Sequence, residues 1–255
     1  MRFASLGSGS EGNGLVVESG GTRVLIDCGF GVRGTARRLA RLGLEPSSLT
    51  AILVTHEHSD HVGGVPAFAG RHGIPVWATF GTLAAVSARF EGMTQVYGFD
   101  SHERFAIGAL EITPVPVPHD AREPVQYVLG DGARRLGVLT DIGVSTAHVE
   151  ASLSGCDALV LECNHDPGML ENGGYPYPLR QRIAGRLGHL HNDAAADILS
   201  RIDTSRLTHI IAAHLSKQNN LPELARAALA GALGCAPDWI GIADQATGFA
   251  WRELA

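Results

Sequence analysis

The apolar run Ala51-Ile52-Leu53-Val54 is followed at once by Thr55-His56-Glu57-His58-Ser59-Asp60-His61. The run has the length and composition of a strand buried on both faces, as in a parallel sheet covered by helices. Such strands end at the rim of the sheet, where α/β proteins bind their ligands. The loop that follows therefore delivers three imidazoles and a carboxylate into one small volume. Imidazole and carboxylate without thiolate suit zinc, manganese or iron. A buried strand feeding such a loop restricts the chain to α/β architectures built on a covered sheet.

Composition narrows the function classes. With 255 residues, 45% hydrophobic and 18% charged, the chain can bury a sizeable core and is not disordered. No apolar run reaches the ~20 residues of a membrane helix, and the Met1–Gly7 stretch lacks the apolar core of a signal peptide. The expectation is a cytoplasmic protein with no membrane partner. Cys28, Cys156, Cys163 and Cys235 form no CxxC pair, which speaks against a disulfide framework or a thiolate metal site. A net charge of −6, with Lys217 the only lysine, argues against a broad basic footprint but not against a local anion site. Nothing in the sequence signals an oligomeric state.

The pattern predicts strands at 3–6, 15–18 and 23–27, with Gly20-Gly21 as a hairpin turn. A helix at 33–42, the strand 51–54, a helix at 65–71 and a strand at 75–78 follow. Residues 111–117 are extended into His119, with Pro114, Pro116 and Pro118 blocking helix. Strands are expected at 127–130, 136–140, 158–162, 209–213, 239–243 and 249–252, and helices at 179–187, 193–202 and 222–233. Two runs of strands, each followed by helices, suit one α/β domain over 1–255 with two pseudo-repeat halves, roughly 1–125 and 126–255. The fitting architecture is a four-layer αββα sandwich. A doubly wound single sheet fits less well, because hairpin-like pairs open each half.

Thr55–Gly64 carries the HxHxDH signature of the metallo-β-lactamase superfamily. Its other pieces are Ile26-Asp27-Cys28-Gly29, Pro118-His119-Asp120, Leu139-Thr140-Asp141-Ile142-Gly143 and Ala213-His214-Leu215-Ser216. Within that superfamily the chain resembles the YycJ/WalJ group, through Leu161–Asp166, Gly174–Ile183, Gly188–Asn192 and His214–Asn220. One departure is His191, where the group is expected to carry serine.

The resemblance implies two divalent metal ions, zinc first and manganese or iron as alternatives. His56, His58 and His119 would ligate one, and Asp60, His61 and His214 the other, with Asp141 bridging them. It implies a metal-bridging hydroxide as nucleophile, oriented by Asp60. The lactam-cleaving members are expected to have a cysteine ligand and no bridging aspartate, so Asp141 argues against lactam chemistry. Asp27 is expected to anchor the metal loop by hydrogen bonding, and Asn13 to line the site.

Phosphodiester cleavage also needs donors for the phosphoryl oxygens and a proton for the leaving alkoxide. The expected proton donor or extra ligand is His165, with Glu162 orienting it or a ligand histidine. His189 is a further catalytic candidate at the start of the next helix. Asn192, Arg182, Lys217 and Asn220 are candidates for substrate contact, with Arg182 and Arg186 sharing a helix face. The function so implied is a binuclear metal-dependent phosphodiesterase, a DNA or RNA exonuclease-like enzyme acting on nucleic acid or another phosphodiester. Alternatives are a thioester hydrolase of the glyoxalase II type and a non-catalytic metal-stabilised binding domain.

Overall fold

The structure, a computed structural model, describes residues 1–254. In chain order its strands are β1 (Arg2–Gly7), β2 (Gly14–Ser19), β3 (Thr22–Ile26), β4 (Ala51–Leu53), β5 (Val76–Thr79), β6 (Val96–Phe99) and β7 (Phe105–Ile107). Then come β8 (Leu110–Pro116), β9 (Val125–Gly130), β10 (Arg135–Leu139), β11 (Ala158–Glu162), β12 (His209–Ala213), β13 (Gly241–Ile242) and β14 (Phe249–Glu253). The helices are α1 (Val32–Arg41), α2 (Ser59–Val62), α3 (Val65–His72), α4 (Phe80–Ala85) and α5 (Ala147–Leu153). They continue with α6 (Pro167–Asn172), α7 (Tyr177–Ile183), α8 (Asn192–Arg201) and α9 (Pro222–Leu233).

The strands form two seven-stranded sheets, ordered β14-β1-β2-β3-β4-β5-β6 and β13-β12-β11-β10-β9-β8-β7. Both are mixed. In the first, β3 to β6 run parallel after an antiparallel start, and in the second, β10 to β13 do. By sheet membership the chain divides between β6 and β7, earlier than residue 125, and β14 returns to the first sheet beside β1.

Strand alternation produces the layers. Leu15, Val17, Val24, Ile26, Ala51 and Leu53 point inward to meet Leu136, Val138, Ala158, Val160 and Ile211 of the other sheet. Their neighbours Val16, Leu25 and Ile52 point outward onto Leu39 of α1 and Val65, Phe68 and Ala69 of α3. On the second sheet Leu159, Leu161, Ile210 and Ala212 face Val149 and Leu153 of α5, Ile198 of α8 and Leu229 of α9. Three apolar interfaces therefore separate four layers, helix–sheet–sheet–helix. Neighbouring residues of one strand serve different interfaces, which is why the parallel strands read as continuous apolar runs.

Several details differ from the sequence expectation. The helix expected over 179–187 starts earlier and stops at Ile183, where Gly185 and Gly188 turn the chain and the His189 amide bonds the Ile183 carbonyl. Arg186 is thus off the helix that carries Arg182. The edge strands β6 and β7 and the short helices α4, α5 and α6 carry too few periodic residues to declare themselves. Pro114 and Pro116 nevertheless sit inside β8: β7 pairs only as far as Ile112, so their missing N–H groups fall on an open side. The end of the 239–243 segment is a two-residue strand preceded by a 3-10 turn.

Candidate metal centre

The metal-type residues collect at one end of the two sheets, each just past a strand. Asp27 follows β3, the His56–His61 loop follows β4, His119 follows β8, Asp141 follows β10, and His214 follows β12. Asp27, Asp141 and His214 all take left-handed backbone conformations, with φ of 59°, 53° and 55°. They are the non-glycine residues with positive φ among those described. Such geometry costs about 1–3 kcal/mol per residue and survives only where surrounding contacts enforce it. The three turns bend side chains back across the sheet ends instead of alternating up and down.

The loop itself is clamped by backbone. Cys28 N donates to His61 O at 2.8 Å, and Asn13 N donates to Asp60 O at 2.8 Å. Gly29 is held so close that an added Cβ would lie 1.8 Å from Asp60 O, which requires glycine there. Asp27 accepts from Thr55 N (2.8 Å), Thr55 Oγ1 (2.8 Å) and His61 Nδ1 (2.7 Å), the anchoring role its position suggested.

Each imidazole has one ring nitrogen engaged outward and the other turned to the centre. His56 Nδ1 meets Thr55 Oγ1 (3.0 Å), whose own proton goes to Asp27, so the ring must donate there. His58 Nε2 donates to Asp120 O (3.2 Å) and His119 Nδ1 to Gly188 O (3.0 Å). His214 Nδ1 lies 3.4 Å from Glu162 Oε1. The inner nitrogens of His56, His58 and His119 are therefore lone pairs. Those of His58 and His119 face each other at 3.3 Å, with no proton left to share. His56 Nε2, His214 Nε2 and Asp141 Oδ2 are buried with no hydrogen-bond partner.

An orphaned buried polar atom costs about 1–3 kcal/mol. Three of them converging with opposed lone pairs is the donor set of a cation site, and the outward bonds are of the kind that orient ligating histidines. Potential ligand atoms lie within 4.8 Å of one another in the groups His56/His58/His119, His56/His61/Asp141 and Asp60/His61/His214. The residues present fit divalent metal ions.

Electrostatics agree. Burial would depress the imidazole of His61, but the carboxylates of Asp141 and Asp27 outweigh it and raise its pKa well above the usual value. Burial likewise opposes His214, yet Asp141, Asp60 and Glu162 lift it to about 10. Burial favours the neutral form of Asp141, but His214 and His61 hold its carboxyl well below the carboxylate range. The carboxylates demand positive charge, which protons on His61 and His214 supply without metal and bound cations would supply in their place.

Beside this cluster opens a cavity of about 390 Å³. His58, Asp60, Asp141 and His214 form its floor; Tyr175, Leu179, Arg182 and Ile183 of the α7 segment form a wall, and His189 another. Glu162 is fully buried and accepts from His189 Nδ1 at 2.8 Å. Burial alone would lower His189, but Glu162 raises it; burial would raise Glu162, but His189 holds it at about 2. With Nδ1 committed to Glu162, His189 turns Nε2 to the cavity.

The other expected site residues fall elsewhere. His165 is not brought to the metal cluster; it lines a separate cavity on the other side of α7 and bonds Asn164. Asn192 and Asn220 exchange paired amide bonds of 2.9 Å in the interior, tying the start of α8 to the loop after His214. Lys217 reaches out to Glu11, at 2.5 Å, and is half exposed. Arg182 does line the metal cavity, where it pairs with Asp120 at 2.6 Å. Asp120, Asn164, Ser10 and Ser216 line or shape the site without having been singled out. Asp120, Asn164 and Ser216 lie within segments that carry the family resemblance, but no role was expected of them there.

A four-layer sandwich with this strand-end cluster defines a metallohydrolase of the β-lactamase fold. The chain belongs to the β-lactamase superfamily, whose domain pattern ("Beta-lactamase superfamily domain") matches residues 22–210. It is 35% identical over 228 residues to the exodeoxyribonuclease YycJ of Bacillus anthracis, covering 89% of this chain and 86% of that one. It is 32% identical over 246 residues to the exodeoxyribonuclease WalJ of Streptococcus pneumoniae, covering 95% and 91%. Among solved structures it is similar to the metallo-β-lactamase fold protein YhfI from Bacillus subtilis, with a TM-score of 0.76, 16% identity and coverage of 99% of both chains.

Proposed function

We propose that the protein is a binuclear metal-dependent phosphodiesterase that hydrolyses nucleic acid as an exonuclease. The observation that carries this reading is the Glu162–His189 pair set beside the cluster of histidine and aspartate ligand candidates, where it would offer a proton to a leaving group. The exodeoxyribonuclease names of both relatives support DNA as the substrate. They lend nothing to a thioester hydrolase of the glyoxalase II type, and a cavity equipped with an acid–base pair lends nothing to a purely structural metal domain.

In this reading His56, His58 and His119 would hold one cation and Asp60, His61 and His214 a second, with Asp141 as a ligand available to both. Two divalent cations, zinc before manganese or iron, supply Lewis acidity toward a phosphoryl oxygen and acidify water at neutral pH. The chain's own residues do the rest. Asp60, ionised and partly open to the cavity, would accept a hydrogen bond from the attacking water and so orient it. His189, its pKa raised by Glu162, would donate from Nε2 to the departing alkoxide. Arg182 at the cavity rim offers a guanidinium to a flanking phosphate, competing with Asp120 for it.

The test is incubation of the metal-loaded protein with end-labelled single- and double-stranded DNA and a matched RNA. Progressive shortening from one end is expected. Release of no nucleotide from any of the three, with bis(p-nitrophenyl) phosphate also untouched, would contradict the reading.

A further inference from the structure

On the far side of α7 from the metal centre lies a second cavity of about 380 Å³, nearly the size of the first. The helix divides them. Leu179, Arg182 and Ile183 line the first cavity, whereas Tyr177, Arg180 and Gln181 line the second, to which His165 and His191 also contribute. None of the residues lining the second cavity has a task in the hydrolysis described above.

The local hydrogen bonds fix both histidine tautomers. Asn164 donates its amide N–H to His214 O at 3.0 Å, so its Oδ1 is an acceptor. His165 Nδ1 lies 3.3 Å from that oxygen and must carry the proton, leaving Nε2 as a lone pair. Burial pushes the His165 imidazole down to about 4, which keeps the ring neutral at physiological pH. His191 is the reverse case. It caps α8 by accepting from Ala194 N at its Nδ1 (3.2 Å), so its proton sits on Nε2. Neither Nε2 has a protein partner among the described residues. The two chains run side by side here, with Asn192 N donating to His165 O at 2.9 Å and the rings 6.0 Å apart.

The cavity thus presents one acceptor and one donor beside each other, with the aromatic ring of Tyr177 and the Arg180 guanidinium 6.0 Å from it. Arg180 Nε is buried without a partner. Adjacent donor and acceptor groups complement the hydrogen-bonding edge of a nucleobase, and an aromatic ring with a guanidinium is a stacking platform. A phosphate fits less well, because His165 is neutral and Glu171 also lines the cavity.

We propose that this cavity receives a nucleobase of the substrate strand, read on its edge by His165 and His191 and stacked by Tyr177. Asn164 lines the metal cavity and bonds His165, so the two pockets meet at adjacent residues, as a strand crossing the end of α7 requires. The inference rests on the nuclease reading for the identity of the strand, not for the chemistry of the pocket.

The experiment titrates metal-loaded full-length protein with 2-aminopurine deoxyribonucleoside 5′-monophosphate, which has no phosphodiester to cleave, and follows its fluorescence. Quenching is expected. About tenfold weaker binding is expected for Tyr177→Leu, at a position 65% exposed. The same holds for His191→Ser, which keeps a helix-capping side chain. On oligonucleotides both variants should lose at least fivefold more than on bis(p-nitrophenyl) phosphate, which has no base. Absent quenching, or equal affinity in all three proteins, overturns the base pocket even if DNA is shortened normally. Quenching with the variant losses but no DNA cleavage sustains the pocket and sinks the nuclease reading.

Discussion

The two sheets supply the centre in different ways. The first delivers four of its ligand candidates, His56, His58, Asp60 and His61, from a single loop after β4. The second delivers His119, Asp141 and His214 one at a time, from the ends of strands far apart in sequence. Clamping one loop needs local hydrogen bonds, which Asp27, Asn13 and Gly29 provide. Gathering single residues needs correct strand order and two strained turns, at Asp141 and His214. The first half should therefore tolerate disturbance as a preorganised unit, while the second depends on the sandwich being assembled.

The sharpest way to break that comparison is Asp141→Ala, which removes the residue reaching both ligand groups. Loss of about 10³-fold or more in kcat is expected, with metal content falling below that of wild type, measured by bis(p-nitrophenyl) phosphate turnover and elemental analysis. Full activity would mean the dispersed ligands are ornamental. Next is His189→Gln, expected to lower kcat by about 10²–10³ on substrates with a poor leaving group and less on nitrophenyl esters. Because Glu162 raises the His189 pKa, the acid form persists to higher pH than in a free imidazole, and activity should fall as pH rises through that raised value. A pH–rate profile in which this alkaline limb survives in the variant would reject the assignment.

A smaller effect tests the clamp. Asp27→Asn keeps a side chain tolerant of left-handed backbone but weakens the hold on His61. Metal affinity should drop about 10–100-fold in competition with a chelator. An unchanged affinity would show that the loop holds its shape without Asp27. The smallest expected effect lies outside both ligand groups, at buried His165. Burial holds its pKa in the folded chain at about 4, below the ordinary imidazole value of 6.5, so protonation favours the unfolded chain. The stability this contributes is complete above pH 6.5 and is lost as pH falls toward 4. His165→Gln should flatten the urea-midpoint dependence on pH across that window relative to wild type. Identical slopes would show that His165 is not buried as described.

The same contrast explains what the sequence could and could not reveal. The β4 strand and its loop are readable because apolar run, turn and ligands are contiguous. Asp141 and His214 also end apolar runs, and family resemblance made them candidates, but no local pattern encodes their backbone strain. His165 looked like catalytic equipment because it follows a strand beside Glu162. One residue's difference in direction sends it to the opposite side of α7, while Glu162 turns to His189 instead. Asn192 and Asn220 resembled phosphate contacts because they flank ligand segments; their mutual amide pairing is a long-range contact, invisible in one dimension. Gly188 contributes only a carbonyl to His119, and a backbone atom leaves no trace in residue identity.

The central claim is that two ligand groups from two sheets share one bridging carboxylate and act together. Elemental analysis of purified protein, run in parallel on wild type, Asp60→Ala and Asp141→Ala with phosphodiester turnover on the same samples, tests it most directly. The account predicts two divalent ions per wild-type chain, fewer in both variants, and turnover that disappears with the second ion. One ion per chain with full turnover, or two ions retained by Asp141→Ala with undiminished rate, would contradict it.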